Sequence, residues 1–165
     1  MEKRCEIAVR EGNGEDFELL KAAISEEQKI HAENRPDIFA CSVREPFGLA
    51  DFQKIIDDEN GFFLVAEAGG QPAGICNVKV KTAPTHVTVV PRRFLYIDDI
   101  CIFDGFRRQG VGRALYDVAA EKGRALGITK IELRVWAFNE EALAFYSALG
   151  MRPQNIIMEG EIPRD

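Results

Sequence analysis

Two neighbouring stretches of the chain carry residues whose types and spacing can do chemistry. In Phe106-Arg107-Arg108-Gln109-Gly110-Val111-Gly112-Arg113, two glycines stand between a hydrophobic run and a helical pattern. A glycine-rich turn of this kind leaves backbone N–H groups pointing outward at a helix N-terminus. The helix dipole also favours negative charge there, so a pyrophosphate fits the physics. Gly105 and Gly110 have the spacing of a nucleoside-triphosphate loop, but Val111-Gly112 stand where Lys and Ser/Thr are required, which undercuts that chemistry and its magnesium. Gly110-Val111-Gly112 also begins a dinucleotide fingerprint, yet Leu115 replaces its third glycine and the loop lies late in the chain. Both of those phosphate motifs fail.

Just upstream, Asp98 and Asp99 interrupt an otherwise largely apolar run from Phe94 to Phe103. Burying an ionised carboxylate without a partner is costly, so at least one of the pair should face a cleft or a cation. Successive strand residues point to opposite faces, so only one should do so unless a bulge alters the pleat. The sequence does not decide which.

The elements that must position these residues are read from periodicity and turn residues. Cys5 to Arg10 alternates and reads as a first strand. A helix is expected from about Glu15 to Asn34, with Phe17, Leu20, Ile24 and Ile30 on its apolar face and Pro36 as its stop. A second is expected around Leu49 to Asp57. Phe62 to Ala68 and Ala73 to Lys81, joined by Gly69-Gly70-Gln71-Pro72, read as a hairpin. Residues 82–93 form a Pro-flanked connection before the Phe94–Phe103 strand. After the glycine loop, Val111, Ala114, Leu115, Val118, Ala119, Lys122 and Ala125 recur at helical spacing, and Gly127 suits the position that ends the helix. Lys130 to Val135 alternates as a strand. Asn139 is a good N-cap for a helix from Glu140 to Leu149, and Asn155 to Ile162 is expected as a last strand. The result is one α+β domain over residues 1–165, without repeats or linkers.

Composition narrows the function classes. The chain has 165 residues, 21 Lys plus Arg against 27 Asp plus Glu, and a formal net charge of −6. That balance argues against a general nucleic-acid binder, which needs a basic face for phosphates. It leaves room for a cationic substrate. No run approaches the roughly 18 to 20 apolar residues of a membrane span, and the N-terminus lacks the apolar core of a signal peptide. Cys5, Cys41, Cys76 and Cys101 are scattered without a Cys-x-x-Cys pair, and only His31 and His86 are present. Neither a metal site nor a disulfide framework is expected. These features describe a soluble, reduced, cytoplasmic domain.

The string Arg107-x-x-Gly110-x-Gly112 after a hydrophobic strand resembles the pyrophosphate loop of the Gcn5-related N-acetyltransferases (GNAT), whose pattern is Arg/Gln-x-x-Gly-x-Gly/Ala. The likeness continues through Asn139 and the run Ala144-Phe145-Tyr146-Ser147-Ala148-Leu149-Gly150-Met151, and extends from about Phe94 to Ile162. Tyr96-Ile97-Asp98-Asp99-Ile100-Cys101-Ile102 looks like the central strand of the polyamine and thialysine acetyltransferase branch. The resemblance implies a mixed sheet of six or seven strands flanked by about four helices, in the order β-α-α-β-β-β-α-β-α-β(-β). It also implies acetyl-coenzyme A (acetyl-CoA) as co-substrate, no metal, and often a bulge in the central strand.

The same resemblance assigns expected roles. Tyr146 becomes the acid that protonates the departing coenzyme A thiolate; on the residues alone it reads as a core aromatic beside Phe145. Asp98 and Asp99 together are placed at the acceptor amine, neither being singled out. If that strand is not the anchor, Glu26, Glu27 or Glu33 of the first helix become the candidates. Ile100, Cys101 and Ile102 would lend backbone groups to the pantetheine arm. The loop residues Arg107, Arg108, Gln109, Gly110, Val111, Gly112 and Arg113 would hold the pyrophosphate. Asn139 and Ala142 would add cofactor contacts. A covalent acetyl-Cys101 route lacks a His or Asn partner near in sequence, and the family uses direct transfer. His31 and His86 read as structural or surface residues, and Trp136 and Phe138 as packing behind the last helix.

The expected activity is acetyl transfer from acetyl-CoA to a primary amine of a small molecule, with neither nucleic acid nor membrane as partner. A homodimer would follow the family's common habit. The competing readings are a protein N-terminal or lysine acetyltransferase and a non-catalytic acyl-CoA sensor.

Overall fold

The computed structural model describes residues 6–40 and 47–163. Cys5, with which the first strand was expected to begin, and Cys41 lie outside the described residues. The chain divides into two compact units, residues 1–134 and 135–165.

In the first unit, β1 (Ile7–Glu11) leads through a 3-10 turn (Gly14–Asp16) into α1 (Phe17–Asn34). Asn13 starts that turn because its side chain accepts the Glu15 N–H while Asp16 accepts the Asn13 N–H, each at 2.8 Å. Asp16 is buried but fully engaged, since the Arg10 guanidinium donates to both of its oxygens at 2.8 Å. Those hydrogen bonds hold its carboxyl below the usual carboxylate range. After α2 (Leu49–Ile56) come β2 (Gly61–Ala68) and β3 (Gln71–Thr82). Their two-residue turn uses Gly69 and Gly70 at φ 60° and 78°, the left-handed values that match the twist of a tight hairpin. Then follow β4 (Arg93–Ile102), α3 (Val111–Ala125) and β5 (Ile131–Glu132).

The sheet order is β1-β2-β3-β4-β5, antiparallel except for the parallel β4–β5 pair. Alternation along the strands feeds two cores. Leu64, Cys76, Val78, Leu95 and Ile97 pack under α3 with Val111, Leu115 and Ala119. Phe63, Val65 and Ile75 meet Leu20 and Ala23 of α1 and Phe52 of α2 on the other face. The buried residues of α3 are Val111, Gly112, Leu115, Ala119 and Gly123, so near its end the stripe passes through Gly123 rather than the expected Lys122 and Ala125. Gly123 is the reason. A Cβ there would lie 2.6 Å from Leu95 Cδ1, so the absence of a side chain lets the helix settle onto β4. Gly127 ends the helix as expected, at φ 72°, with the Ile128 N–H bonded to the Gly123 carbonyl at 2.9 Å.

The second unit contains α4 (Glu140–Ala148), capped by Asn139, whose Oδ1 accepts the Ala142 N–H at 3.1 Å. Trp136 and Phe138 stack with ring centroids 6.1 Å apart.

The mixed α+β sheet and four helices are as expected, but among the described residues the strands number five rather than six or seven. The ladder expected over Lys130 to Val135 holds only at Leu95↔Ile131 and Tyr96↔Glu132, because β4 leaves regular geometry two residues later. Asn155 to Ile162 forms no strand. Its apolar residues Ile156, Ile157 and Met158 are consecutive rather than alternating, and all are exposed.

Candidate active site

The centre of the site is a bulge. Across β3 and β4, Asn77 pairs with Asp99 while Val78 pairs with Ile97, so Asp98 is the extra residue on β4. The bulge reverses the parity of the strand. Ile97 and Ile100 both pack into the α3-side core, and the two carboxylates between them meet side chains of the opposite face. Asp98 is bracketed by Lys79 at 2.8 Å and Lys81 at 3.6 Å. The Lys81 ammonium in turn lies 3.4 Å from the centre of the Tyr96 ring. Asp99 accepts a hydrogen bond from Asn77 Nδ2 at 3.0 Å. Asn77 and Lys79 share their strand face with Ile75, which packs against α1 and α2. The strict alternation expected of a flat strand therefore fails here, and both carboxylates serve one side.

Loss of hydration pushes the Asp99 carboxyl up from the usual carboxylate range; the Asn77 hydrogen bond opposes this and the Asp98 charge adds to it. Glu27 of α1 lies within hydrogen-bond reach of the same carboxyl. Although 48% of its side chain stays accessible, desolvation, then the Asp99 charge and that hydrogen bond, push Glu27 up to about 7. His31 lies one turn further along α1, with Nε2 3.9 Å from Glu27 Oε1 and its ring stacked 4.8 Å from Phe39. Glu27, His31 and Phe39 line a cavity of about 270 Å³ together with Ile24, Gln28 and Ala40. His31 thus belongs to this wall as well as to the helix. A larger hollow of about 350 Å³, bordered by Phe62 and Lys122, contains none of the expected site residues.

The glycine loop has the geometry its composition implies. Gly105 and Gly110 have φ 86° and 95°, and Arg108 joins them in the left-handed region at 63°. Gly110 is the N-cap of α3 and supplies no side-chain cap, so the first-turn N–H groups keep their outward donors available to an anion. Arg107 Nε donates to the Ile102 carbonyl at 3.3 Å and its guanidinium lies 3.4 Å from Asp104. Gln109 Nε2 ties back to the Gly105 carbonyl at 2.6 Å. Arg113 lies 3.1 Å from Asp117 one turn along the helix. These residues fit a pyrophosphate: a donor-rich backbone opening with arginines on its rim.

Ile100 and Ile102 pack into the α3-side core and Cys101 into the other, so their side chains are core. The β5-facing edge of β4 carries no ladder beyond Tyr96 among the described residues. Burial pushes the Cys101 thiol up to about 11, which keeps it protonated and unsuited to nucleophilic attack. In the second unit, Ala142 and Tyr146 sit four residues apart on α4, and the buried Tyr146 ring lies 5.1 Å from Phe145.

The structure thus gathers Asp98, Asp99 and the residues 100–102 and 107–113 in the first unit, and Asn139, Ala142 and Tyr146 on one helix of the second. Asn77 and Lys79 were missed. The signal for Asn77 was an amide inside an apolar strand, paired in register with the acidic one.

Comparison with known proteins gives the same answer as the loop. The model of the Acetyltransferase (GNAT) family matches residues 27–151. An uncharacterised N-acetyltransferase of Lactobacillus delbrueckii is 32% identical over 119 residues, covering 72% of this chain and 68% of the relative. The thialysine N-ε-acetyltransferase of Sus scrofa is 30% identical over 123 residues, covering 63% and 72%. The crystal structure of a mutant of the BH1408 protein from Bacillus halodurans superposes with a TM-score of 0.87 at 29% identity, over 94% of this chain and 99% of that one. An aminoglycoside N-acetyltransferase crystallised with coenzyme A shares the fold, with a TM-score of 0.72 at 16% identity over 98% of each chain. The chain belongs to the GNAT acetyltransferase family and is an acetyl-CoA-dependent N-acetyltransferase.

Proposed function

We propose that the protein, acting as one domain over residues 1–165, transfers the acetyl group of acetyl-CoA to the primary amine of a small molecule by direct attack. The observation that carries this reading is the β4 bulge, which puts Asp98 and Asp99 on one face of the sheet beside Glu27. Primary alkyl amines are protonated at neutral pH, with a reference value of about 10.4 for lysine. A cluster of carboxylates attracts and orients such a cation, then accepts its proton. Relatives named for thialysine and for aminoglycosides support a small amine as acceptor.

The remaining roles follow from placement and chemistry. The backbone of residues 107–113 at the α3 N-terminus would hold the pyrophosphate, with Arg107, Arg108 and Arg113 screening its charge. The unladdered edge at Ile100, Cys101 and Ile102 would receive the pantetheine amides, and Asn139 and Ala142 would add contacts. The Tyr146 hydroxyl would give its proton to the departing sulfur. Bound acetyl-CoA supplies a thioester carbonyl and a good leaving group. No described helix is long and apolar enough to cross a membrane, and the free thiols of Cys76 and Cys101 accord with a cytoplasmic setting.

The test is steady-state turnover, read by a thiol-reactive reporter, across a panel of diamines, amino acids, aminoglycosides and peptides. Acetylation of small amines with kcat/KM above that for peptides is expected. Turnover of peptides alone would replace the reading with a protein acetyltransferase. Cofactor binding without any turnover would replace it with an acyl-CoA sensor.

A further inference from the structure

We infer that Glu27 of α1 and Asp99 of β4 work as one proton-sharing pair, in which Asp99 holds the acceptor ammonium and Glu27 takes its proton. This rests on the amine-acetylation reading above and assigns its base to a helix rather than to the acidic strand.

The geometry distinguishes the three carboxyls. Asp98 is held between Lys79 and Lys81, so its charge is already spent on two ammonium groups. Asp99 lies in the field of Lys79, but its hydrogen-bond partner from the sheet is the neutral amide of Asn77. A side-chain amide nitrogen only donates, so Asp99 stays the acceptor in that contact. The hydrogen bond between Glu27 and Asp99 then requires a proton on one of the two carboxyls. Asn77 occupies Oδ2 of Asp99, and of the two carboxyls Glu27 is the one that lines the cavity, so the exchangeable proton is assigned to Glu27. Glu27 also lines the cavity with His31 and Phe39, so a molecule entering there meets its carboxyl directly.

The charged and titratable groups around the pair are few among the described residues. Asp98 and Lys79 act on Asp99 with opposite signs. His31 faces Glu27 along its own helix, and burial lowers its affinity for a proton, so it stands beside Glu27 as a neutral ring. Cys101 is a neutral thiol. A carboxyl titrating near neutrality is suited to a base at physiological pH.

The step balances as follows. The cycle begins once the shared proton has left Glu27 for solvent: the ionised carboxylate removes one proton from R–NH3⁺, leaving R–NH2 and a neutral carboxylic acid. The nitrogen lone pair forms the C–N bond to the acetyl carbonyl carbon, and collapse of the tetrahedral adduct breaks the C–S bond. The sulfur takes a proton from the Tyr146 hydroxyl. The second nitrogen proton returns through water to the tyrosine oxygen, and Glu27 releases its proton to solvent before the next turnover.

The experiment compares wild type, Glu27→Gln and Asp99→Asn on two acceptors, a diaminoalkane and trifluoroethylamine. The second is already unprotonated at neutral pH. Glu27→Gln is expected to lower kcat for the diaminoalkane by roughly 10²- to 10⁴-fold. It should also erase the rising limb of the pH–rate profile near neutrality and change trifluoroethylamine turnover only a few-fold. Asp99→Asn should act mainly on KM for the diaminoalkane. The acetyl-CoA-induced thermal shift, retained in both variants, reports that fold and cofactor binding survive. An unchanged rising limb in Glu27→Gln, or equal losses on both amines, overturns the assignment while leaving the acetyl-transfer reading intact. A wild type that binds acetyl-CoA but acetylates neither these nor any other amine overturns both.

Discussion

Asn77 Nδ2 donates to Asp99 Oδ2 at 3.0 Å, across the register pair that borders the β4 bulge. Asn77 is almost fully buried, and the contact with Asp99 satisfies its amide there. This one bond links the sheet to the chemistry. It anchors Asp99 on the α1 side, leaves Asp98 to the lysines, and presents Asp99 to Glu27.

Asp98→Asn and Asp99→Asn should therefore behave differently. Removing the Asp98 charge leaves Lys79 and Lys81 facing each other without their common anion, so stability should fall, by up to about 1 kcal/mol for a solvent-screened pair. Asp99→Asn removes the site's cation holder and should raise KM for a cationic amine by roughly ten-fold or more. Denaturant melts and steady-state kinetics on the two variants check this. Equal KM values for both variants and wild type would remove β4 as the acceptor's anchor.

Stability should also depend on pH through the same pair. Both carboxyls titrate higher in the folded chain than in the unfolded one, so the folded state binds more protons. Their favourable contribution is complete below the unfolded carboxyl range and is lost as pH rises from about 4.5 through about 7. Glu27→Gln should flatten that decline and be slightly more stable than wild type at pH 8. With nearly half of the Glu27 side chain accessible, screening limits the gain to less than about 1 kcal/mol. Thermal melts between pH 5 and 8 read the difference; a steeper decline in the variant would reverse the sign of the argument.

Acetyl-CoA should raise the melting temperature, because a ligand that binds only the folded state stabilises it by mass action. Gly110→Val should abolish that shift. Gly110 sits at φ 95°, where a β-branched residue is strained, and its side chain would crowd the backbone approach of a pyrophosphate. Gly127→Ala serves as the control: it has a similar φ of 72° at the other end of α3, so it should cost about 1 kcal/mol of stability and keep the shift. Loss of the shift in both variants would mean that helix strain, rather than the loop, is being measured.

Much of this arrangement was legible in local chemistry. The Gly69-Gly70 hairpin, the Gly110 and Gly127 ends of α3 and the Asn139 cap all depend on residues acting within a turn of themselves. What escaped depends on distant partners. Gly123 joins the buried face of α3 because Leu95 lies beneath it, a contact between elements far apart in the chain. The orientation of Asp98 and Asp99 turns on one residue inserted into β4 relative to β3, and hydrophobic alternation cannot register such an insertion when the residues concerned are polar. Glu27 was visible only as one of several acids on α1. Its importance comes from Asp99, which the fold brings to it. The last expected strand is absent because Ile156-Ile157-Met158 are apolar but exposed, with no strand beside them to form a ladder among the described residues.

Tyr146→Phe tests the other end of the reaction. A phenol hydroxyl within reach of a departing thiolate can pass it a proton and so lower the barrier. Its ring is buried beside Phe145 on α4, so removing only the hydroxyl preserves the packing. The variant should keep its acetyl-CoA thermal shift and its KM for the amine while kcat falls by roughly 10²- to 10⁴-fold, because the hydroxyl is needed only as sulfur departs. Combining it with Glu27→Gln separates acid from base. An acceptor that arrives unprotonated should bypass the Glu27 defect and still suffer the Tyr146 defect, since every acceptor expels the same thiolate. An unchanged kcat for Tyr146→Phe, under conditions where chemistry limits turnover, would leave water as the proton donor and Tyr146 as a packing residue.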